Sequence, residues 1–150
     1  MRIALFEPEI AGNVGNVMRL GACMGVGVDL IEPLGFPWDD RRVRRAAMDY
    51  IDHVEIVRHA SFDSFREARA GARLVLFTTR ATQSSYEFAY RPDDILLFGK
   101  ESAGVTDEVR SQVDASVRLP MRPEVRSLNL ATSAGLAVGE ALRQTGTLPK

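Results

Sequence analysis

Ile95-Leu96-Leu97-Phe98-Gly99-Lys100-Glu101-Ser102-Ala103-Gly104 is an apolar run, a glycine, a polar stretch and a second glycine. Four apolar residues in a row are too few for a helix and suit a strand buried on both faces. Gly99 ends that strand, and the polar stretch up to Gly104 reads either as a loop whose backbone holds an adenosine-like ligand or as a plain strand-end turn. Upstream, Leu74-Val75-Leu76-Phe77 and Ile3-Ala4-Leu5-Phe6 have the same solid apolar character, and Val26 to Ile31 reads as a further strand. Val54-Glu55-Ile56-Val57 alternates, and Ser116-Val117-Arg118-Leu119 is a last short strand stopped by Pro120.

Helical patterns lie between these runs. Gly12 to Gly25 carries Val14, Val17, Met18, Cys23 and Met24 on one predicted face. Asp39 and Asp40 are helix-start residues before Arg41-Arg42-Val43-Arg44-Arg45-Ala46. Ser61 starts a helix that Gly71 stops, Thr106 starts another, and the alanine-rich stretch from Leu130 to Arg143 is the longest. Strands alternating with helices predict an α/β fold: one parallel sheet covered on both faces, with residues 1–150 as a single domain.

The bulk composition narrows the function classes. The chain has 150 residues, 45% hydrophobic and 26% charged, with a formal net charge of −1. Nucleic acid, if bound, must therefore meet a local basic patch rather than a general field. The single cysteine, Cys23, excludes an intramolecular disulfide and reads as a buried structural thiol. No apolar stretch approaches the roughly 20 residues of a membrane span, and the first residues do not read as a signal peptide. A soluble, cytoplasmic protein without a metal is expected, since His53 and His59 lack ligand spacing and read as surface residues or as supports to other side chains.

Ligands of a parallel sheet bind beyond the carboxyl ends of its strands, and three segments fall there. Asn13-Val14-Gly15-Asn16-Val17-Met18-Arg19 reads as a strand-to-helix turn with an arginine about one helical turn on, able to reach a phosphate or a ribose, or else as a structural turn with a surface arginine. The Gly99–Gly104 loop is the second. The third, Leu119-Pro120-Met121-Arg122-Pro123-Glu124-Val125-Arg126-Ser127-Leu128-Asn129-Leu130, is a proline-stiffened loop with two arginines and two candidate helix caps, Ser127 and Asn129. The densest basic run, Arg41, Arg42, Arg44 and Arg45, is either a solvated helix face or a contact to RNA phosphates. Trp38, after Gly35-Phe36-Pro37, is expected to pack rather than to stack on a base.

Taken together, these segments resemble the SPOUT superfamily of knotted methyltransferases, and more narrowly its TrmL (YibK-like) tRNA 2′-O-methyltransferases. The matching pieces are Phe6-Glu7-Pro8-Glu9-Ile10 with Asn13-x-Gly15-Asn16-x-x-Arg19, and Ile31-Glu32-Pro33-Leu34-Gly35-Phe36 with Trp38-Asp39-Asp40. Leu97-Phe98-Gly99-x-Glu101-Ser102-x-Gly104 and Leu119-Pro120-Met121 with Arg126-Ser127-Leu128-Asn129-Leu130 complete the set, which spans nearly the whole chain. The resemblance implies a deep trefoil knot near the C-terminus. It implies S-adenosylmethionine held in a bent shape at Phe77, Gly99, Leu119 and Ser127. It also implies a homodimer acting on the tRNA anticodon stem-loop, where the ribose of a wobble pyrimidine is methylated. Arg19, Arg126 and Asn129 are then the candidates for the reacting centre, with Arg41, Arg42, Arg44 and Arg45 toward RNA.

Two positions depart from many relatives: Ala103, where they carry arginine, and Gly139, where they carry tyrosine. Two other readings compete. Gly12, Gly15 and Glu32 faintly imitate a nicotinamide-nucleotide oxidoreductase, but the G-x-G-x-x-G spacing is missing. A non-catalytic RNA-binding protein on the same fold is the other. Small residues Ala131, Ala134, Gly135, Ala137 and Ala141 are expected to let the last helix approach a partner closely.

Overall fold

Alternation of two facing sets of apolar side chains organises the molecule, whose computed structural model describes residues 1–150. Strands β1 (Arg2–Phe6), β2 (Gly27–Ile31), β3 (Ile56–His59), β4 (Leu74–Phe77), β5 (Ile95–Phe98) and β6 (Ala115–Val117) form one six-stranded sheet in the order β3-β2-β1-β5-β4-β6. Every pairing is parallel. With a period of two, Ile3, Leu5, Val28, Leu30, Val75, Leu96 and Phe98 face one side. Ala4, Phe6, Ile31, Leu74, Leu76, Ile95 and Leu97 face the other.

The first face is covered by α1 (Ala11–Met24), α2 (Asp40–Ala47) and α5 (Leu130–Thr145), the second by α3 (Phe62–Ala68) and the short α4 (Asp107–Arg110). The starts of α2, α3, α4 and α5 are fixed by side-chain caps from Asp39, Ser61, Thr106 and Asn129. Of the two caps considered for α5, Asn129 is therefore the one used. The helix pattern placed at Gly12 begins one residue earlier, with no side-chain cap at Ile10. Gly15 is accordingly inside α1 rather than in a turn. A Cβ there would collide with Ala46, so this glycine serves the close crossing of α1 and α2. The last strand starts and ends earlier than its apolar pattern, at Ala115–Val117, and β3 starts at Ile56.

Three further expectations are corrected. Cys23 is exposed, because the fully buried stripe of α1 ends at Gly21 and position 23 falls on the outward side of the helix, while Met24 still packs against the core. His59 is buried against Asp29, its Nε2 2.8 Å from the carboxylate, and so is part of the core rather than the surface. Ala134, Ala137 and Ala141 point inward, against α1 and the sheet, and so cannot form a partner face. Trp38 packs against the core, with Arg58 over its ring at 4.6 Å. No helix is long and apolar enough to cross a membrane.

The two fully buried carboxylates are paired. Asp29, fully buried in mid-strand, receives Arg2 Nε at 2.6 Å and Arg69 Nη2 at 2.8 Å. Burial alone would push this carboxyl up, but the hydrogen bonds from Arg69, Arg2 and His59 reverse the effect and hold it below its ordinary value. Asp94, equally buried, is clamped by Arg73 through two 2.7 Å bonds.

Candidate active site

Past the carboxyl ends of β4, β5 and β6 lies a cleft of about 580 Å³. Three segments distant in sequence make most of its walls, namely the start of α1, the loop after β5 and the loop between β6 and α5, and residues 76–80 at and after the end of β4 complete it together with Arg110 of α4. Phe77, Gly99, Leu119 and Ser127, the four positions expected to meet a cofactor, all line it. Phe77 and Phe98 stack at its base with ring centroids 4.9 Å apart.

The loop after β5 folds back on itself. Lys100 N–H donates to the Gly104 carbonyl at 3.1 Å and Gly104 N–H returns to Lys100 at 2.9 Å. Gly104 has φ +68°, a backbone conformation suited to glycine. A Cβ on Gly99 would fall against the Gly104 backbone and 2.8 Å from the Val105 nitrogen. The close backbone approach predicted for Gly99 is therefore made within the loop itself, so the glycine shapes the wall that a ligand would touch.

Polar side chains sew the three segments together. Asn129 Nδ2 donates to Asn13 Oδ1 at 3.0 Å while its own Oδ1 caps α5. Asn13 Nδ2 reaches Glu101 at 3.4 Å, and the other Glu101 oxygen accepts from Glu9 N–H at 2.8 Å. Glu9 in turn accepts from Ser102 N–H at 2.8 Å and Ser102 Oγ at 2.9 Å, which hold its carboxyl below the usual range. Lys100 pairs with Glu7 at 3.3 Å. The linking roles of Asn13, Glu9, Glu101 and Ser102 escaped sequence reasoning, because each joins residues about ninety positions apart and leaves no local pattern.

The reacting-centre candidates separate. Asn129 lines the cleft, and Arg126 is exposed on the adjoining loop. Arg19 does not line it. The side chain is exposed on α1 and lies over the Tyr50 ring, 5.7 Å from its centroid, beside the 3₁₀ turn Tyr50–His53. Arg41, Arg42, Arg44 and Arg45 are all exposed on α2, which packs on α1. Asp39 and Asp52 approach Arg42 and Arg44 only at 3.9 and 4.0 Å, and Arg41 and Arg45 have no ion pair. Ala103 lines the cleft, whereas Gly139 faces open space on α5.

Residues 1–139 match the SpoU rRNA Methylase family. The chain belongs to that family. Its members include close relatives of nearly equal length. The tRNA (cytidine(34)-2′-O)-methyltransferase of Beijerinckia indica is 52% identical over 150 residues, covering 99% of this chain and 94% of its own. The enzyme of that name from Escherichia coli K12 is 40% identical over 148 residues, covering 97% and 94%. Among solved structures, one described as giving structural insights into the 2-OH methylation of C/U34 on tRNA superposes with a TM-score of 0.91 at 44% identity, covering 95% of this chain and 94% of that one. An AdoMet-bound rRNA methyltransferase from Sinorhizobium meliloti has a TM-score of 0.84 at 29% identity, covering 95% of this chain and 55% of that one. The six-stranded parallel sheet with its flanking helices is thus the SpoU methylase fold.

Proposed function

We propose that this SpoU-family chain is a cytoplasmic, single-domain tRNA methyltransferase that uses S-adenosylmethionine to methylate the ribose 2′-hydroxyl of the wobble pyrimidine at position 34. The observation that carries this is the convergence of Phe77, Gly99, Leu119 and Ser127 on one cleft beyond the strand ends. The cleft suits the cofactor on its own geometry: its volume falls in the range of small-molecule sites, and its wall holds a buried guanidinium nitrogen without a partner, on Arg110. The names of full-length relatives point to the same reaction.

S-adenosylmethionine would supply an already activated sulfonium methyl group. The chain's task is then to align the ribose hydroxyl with it and to stabilise charge developing on that oxygen. Gly99 and the β6–α5 loop would hold the cofactor. Asn129 keeps the third loop against α1, and Arg126, exposed on that loop, would be the arginine offered to substrate there. A guanidinium offers hydrogen-bond donors and no acceptor, so the role proposed for Arg19 is electrostatic rather than that of a base. Because it stands outside its own chain's cleft, this role requires that a second copy or the RNA bring it to the centre. The homodimer would meet that requirement, and an outward α5 surface carrying Leu136, 45% exposed, between the open positions Gly135 and Gly139 supports it. The sheet order supports the trefoil knot: β5 lies between β1 and β4, and the chain passes out to β6 before α5 returns to α1.

The test is transfer of labelled methyl from S-adenosylmethionine to tRNA, followed by mapping of the modified nucleotide. Modification at the 2′-oxygen of nucleotide 34 is the expected result. Cofactor and tRNA binding without transfer would favour the non-catalytic RNA-binding reading instead, and NAD binding without S-adenosylmethionine binding would favour the oxidoreductase.

A further inference from the structure

Arg110 is a cation on the cleft wall with no counter-ion. It ends α4, whose position is set by the Thr106 cap on Val109 N–H at 3.2 Å and by burial of Val109 and Val105 in the core of the second sheet face. Its Nε is buried and has no hydrogen-bond partner. A buried polar group without a partner costs stability, and such groups in native proteins usually have an external partner. Of the other charged side chains of the cleft, Lys100 and Glu101 are engaged within the protein, and Arg80 has no ion pair but is open to solvent rather than buried. Lys100 pairs with Glu7, and the carboxylate of Glu101 is engaged by Glu9 N–H and Asn13.

Resting on the cofactor reading above, we infer that Arg110 binds the α-carboxylate of S-adenosylmethionine and so selects a cofactor that carries its amino-acid tail. The chemistry of the ligand narrows the choice. Adenosine is neutral, the sulfonium and the ammonium are cationic, and the carboxylate is the one anionic group the cofactor presents. A guanidinium with a buried Nε meets a carboxylate through charge-assisted bonds. RNA phosphates would meet the solvent-exposed arginines first, Arg80 together with Arg122 and Arg126 of the β6–α5 loop.

Calorimetry with S-adenosylhomocysteine and 5′-methylthioadenosine tests this, because both are thioethers of adenosine and they differ only in the amino-acid tail. The wild type is expected to bind S-adenosylhomocysteine more tightly. Arg110→Leu should weaken that ligand by about ten- to a hundredfold and leave 5′-methylthioadenosine within about twofold. Retained binding of the latter reports an intact fold and adenosine site. Arg110→Lys should recover part of the loss. Equal weakening of both ligands, or of neither, would overturn the assignment to Arg110. So would a variant that loses tRNA affinity while still discriminating the two ligands, since the anion would then be a phosphate. A wild type that binds neither ligand would instead remove the cofactor reading itself.

Discussion

Gly99 shows how one missing side chain shapes the site. Gly99→Val would drive its Cβ into the Gly104 backbone, and backbone cannot rotate out of the way. The variant should lose cofactor binding by calorimetry and about 1–3 kcal/mol of stability by urea unfolding. Asp29 acts at the opposite end of the polarity scale. Asp29→Asn leaves Arg69 without its charge partner and Arg2 with only Glu55, and should cost about 3 kcal/mol near neutral pH. Its folded pKa lies below the unfolded value of about 3.9, so the stabilisation is complete above that value and disappears as pH falls through the folded pKa. Unfolding midpoints measured from neutral to acid should therefore show wild type and variant converging. At Arg19 the expectation concerns rate. Arg19→Ala should lower methyl transfer by about 100-fold or more with cofactor affinity unchanged in calorimetry, since the side chain stands outside the cleft. Near-normal turnover would shift the electrostatic role to Arg126.

Elements were the most legible level of this sequence, and the reason is periodicity. Ile3–Phe6, Leu74–Phe77 and Ile95–Phe98 are buried on both sides, so their apolar character is continuous and the strand, its parallel pairing and its end could all be read from neighbouring letters. Boundaries set by tertiary contact were less legible. The start of α1 and the outward turn of Cys23 depend on what packs against the helix, and the inward direction of Ala134, Ala137 and Ala141 depends on α1 being the neighbour. The polar chain through Asn129, Asn13, Glu101 and Glu9 depends on long-range closure alone. For α2, the structure sharpens the basic patch to a pair. Asp39 already serves the backbone as a cap, and Arg41 and Arg45 lack ion pairs. Replacing Arg41 and Arg45 with alanine should weaken tRNA binding and reduce its salt slope by up to about 0.9 per lost phosphate contact, with methylation at saturating tRNA little changed. An unaltered slope in filter-binding assays across salt would make α2 a solvated face.

At the scale of the whole molecule, the outer side of α5 carries the expectation of pairing. Leu136→Asp should convert the proposed dimer to monomer in sedimentation at micromolar protein and, by the role proposed for Arg19 across that interface, abolish transfer while cofactor binding persists. Gly139→Ala should be mild, because nothing stands within 4 Å of the added carbon in the single chain. Gly139→Tyr should disturb association without raising activity. The position of β5 has a different consequence, one that concerns birth rather than function. β1 is made first, yet one of its two edges has no partner until Ile95–Phe98 exists to fill the gap. At about 5–20 residues per second, the roughly ninety intervening residues keep that apolar edge open on the ribosome for some 5–20 seconds. During that interval Ile3 to Phe6 is a template for any extended strand nearby, including one from a neighbouring nascent chain. The strand that closes the central gap in the sheet therefore also ends the period in which the growing polypeptide is most prone to aggregate.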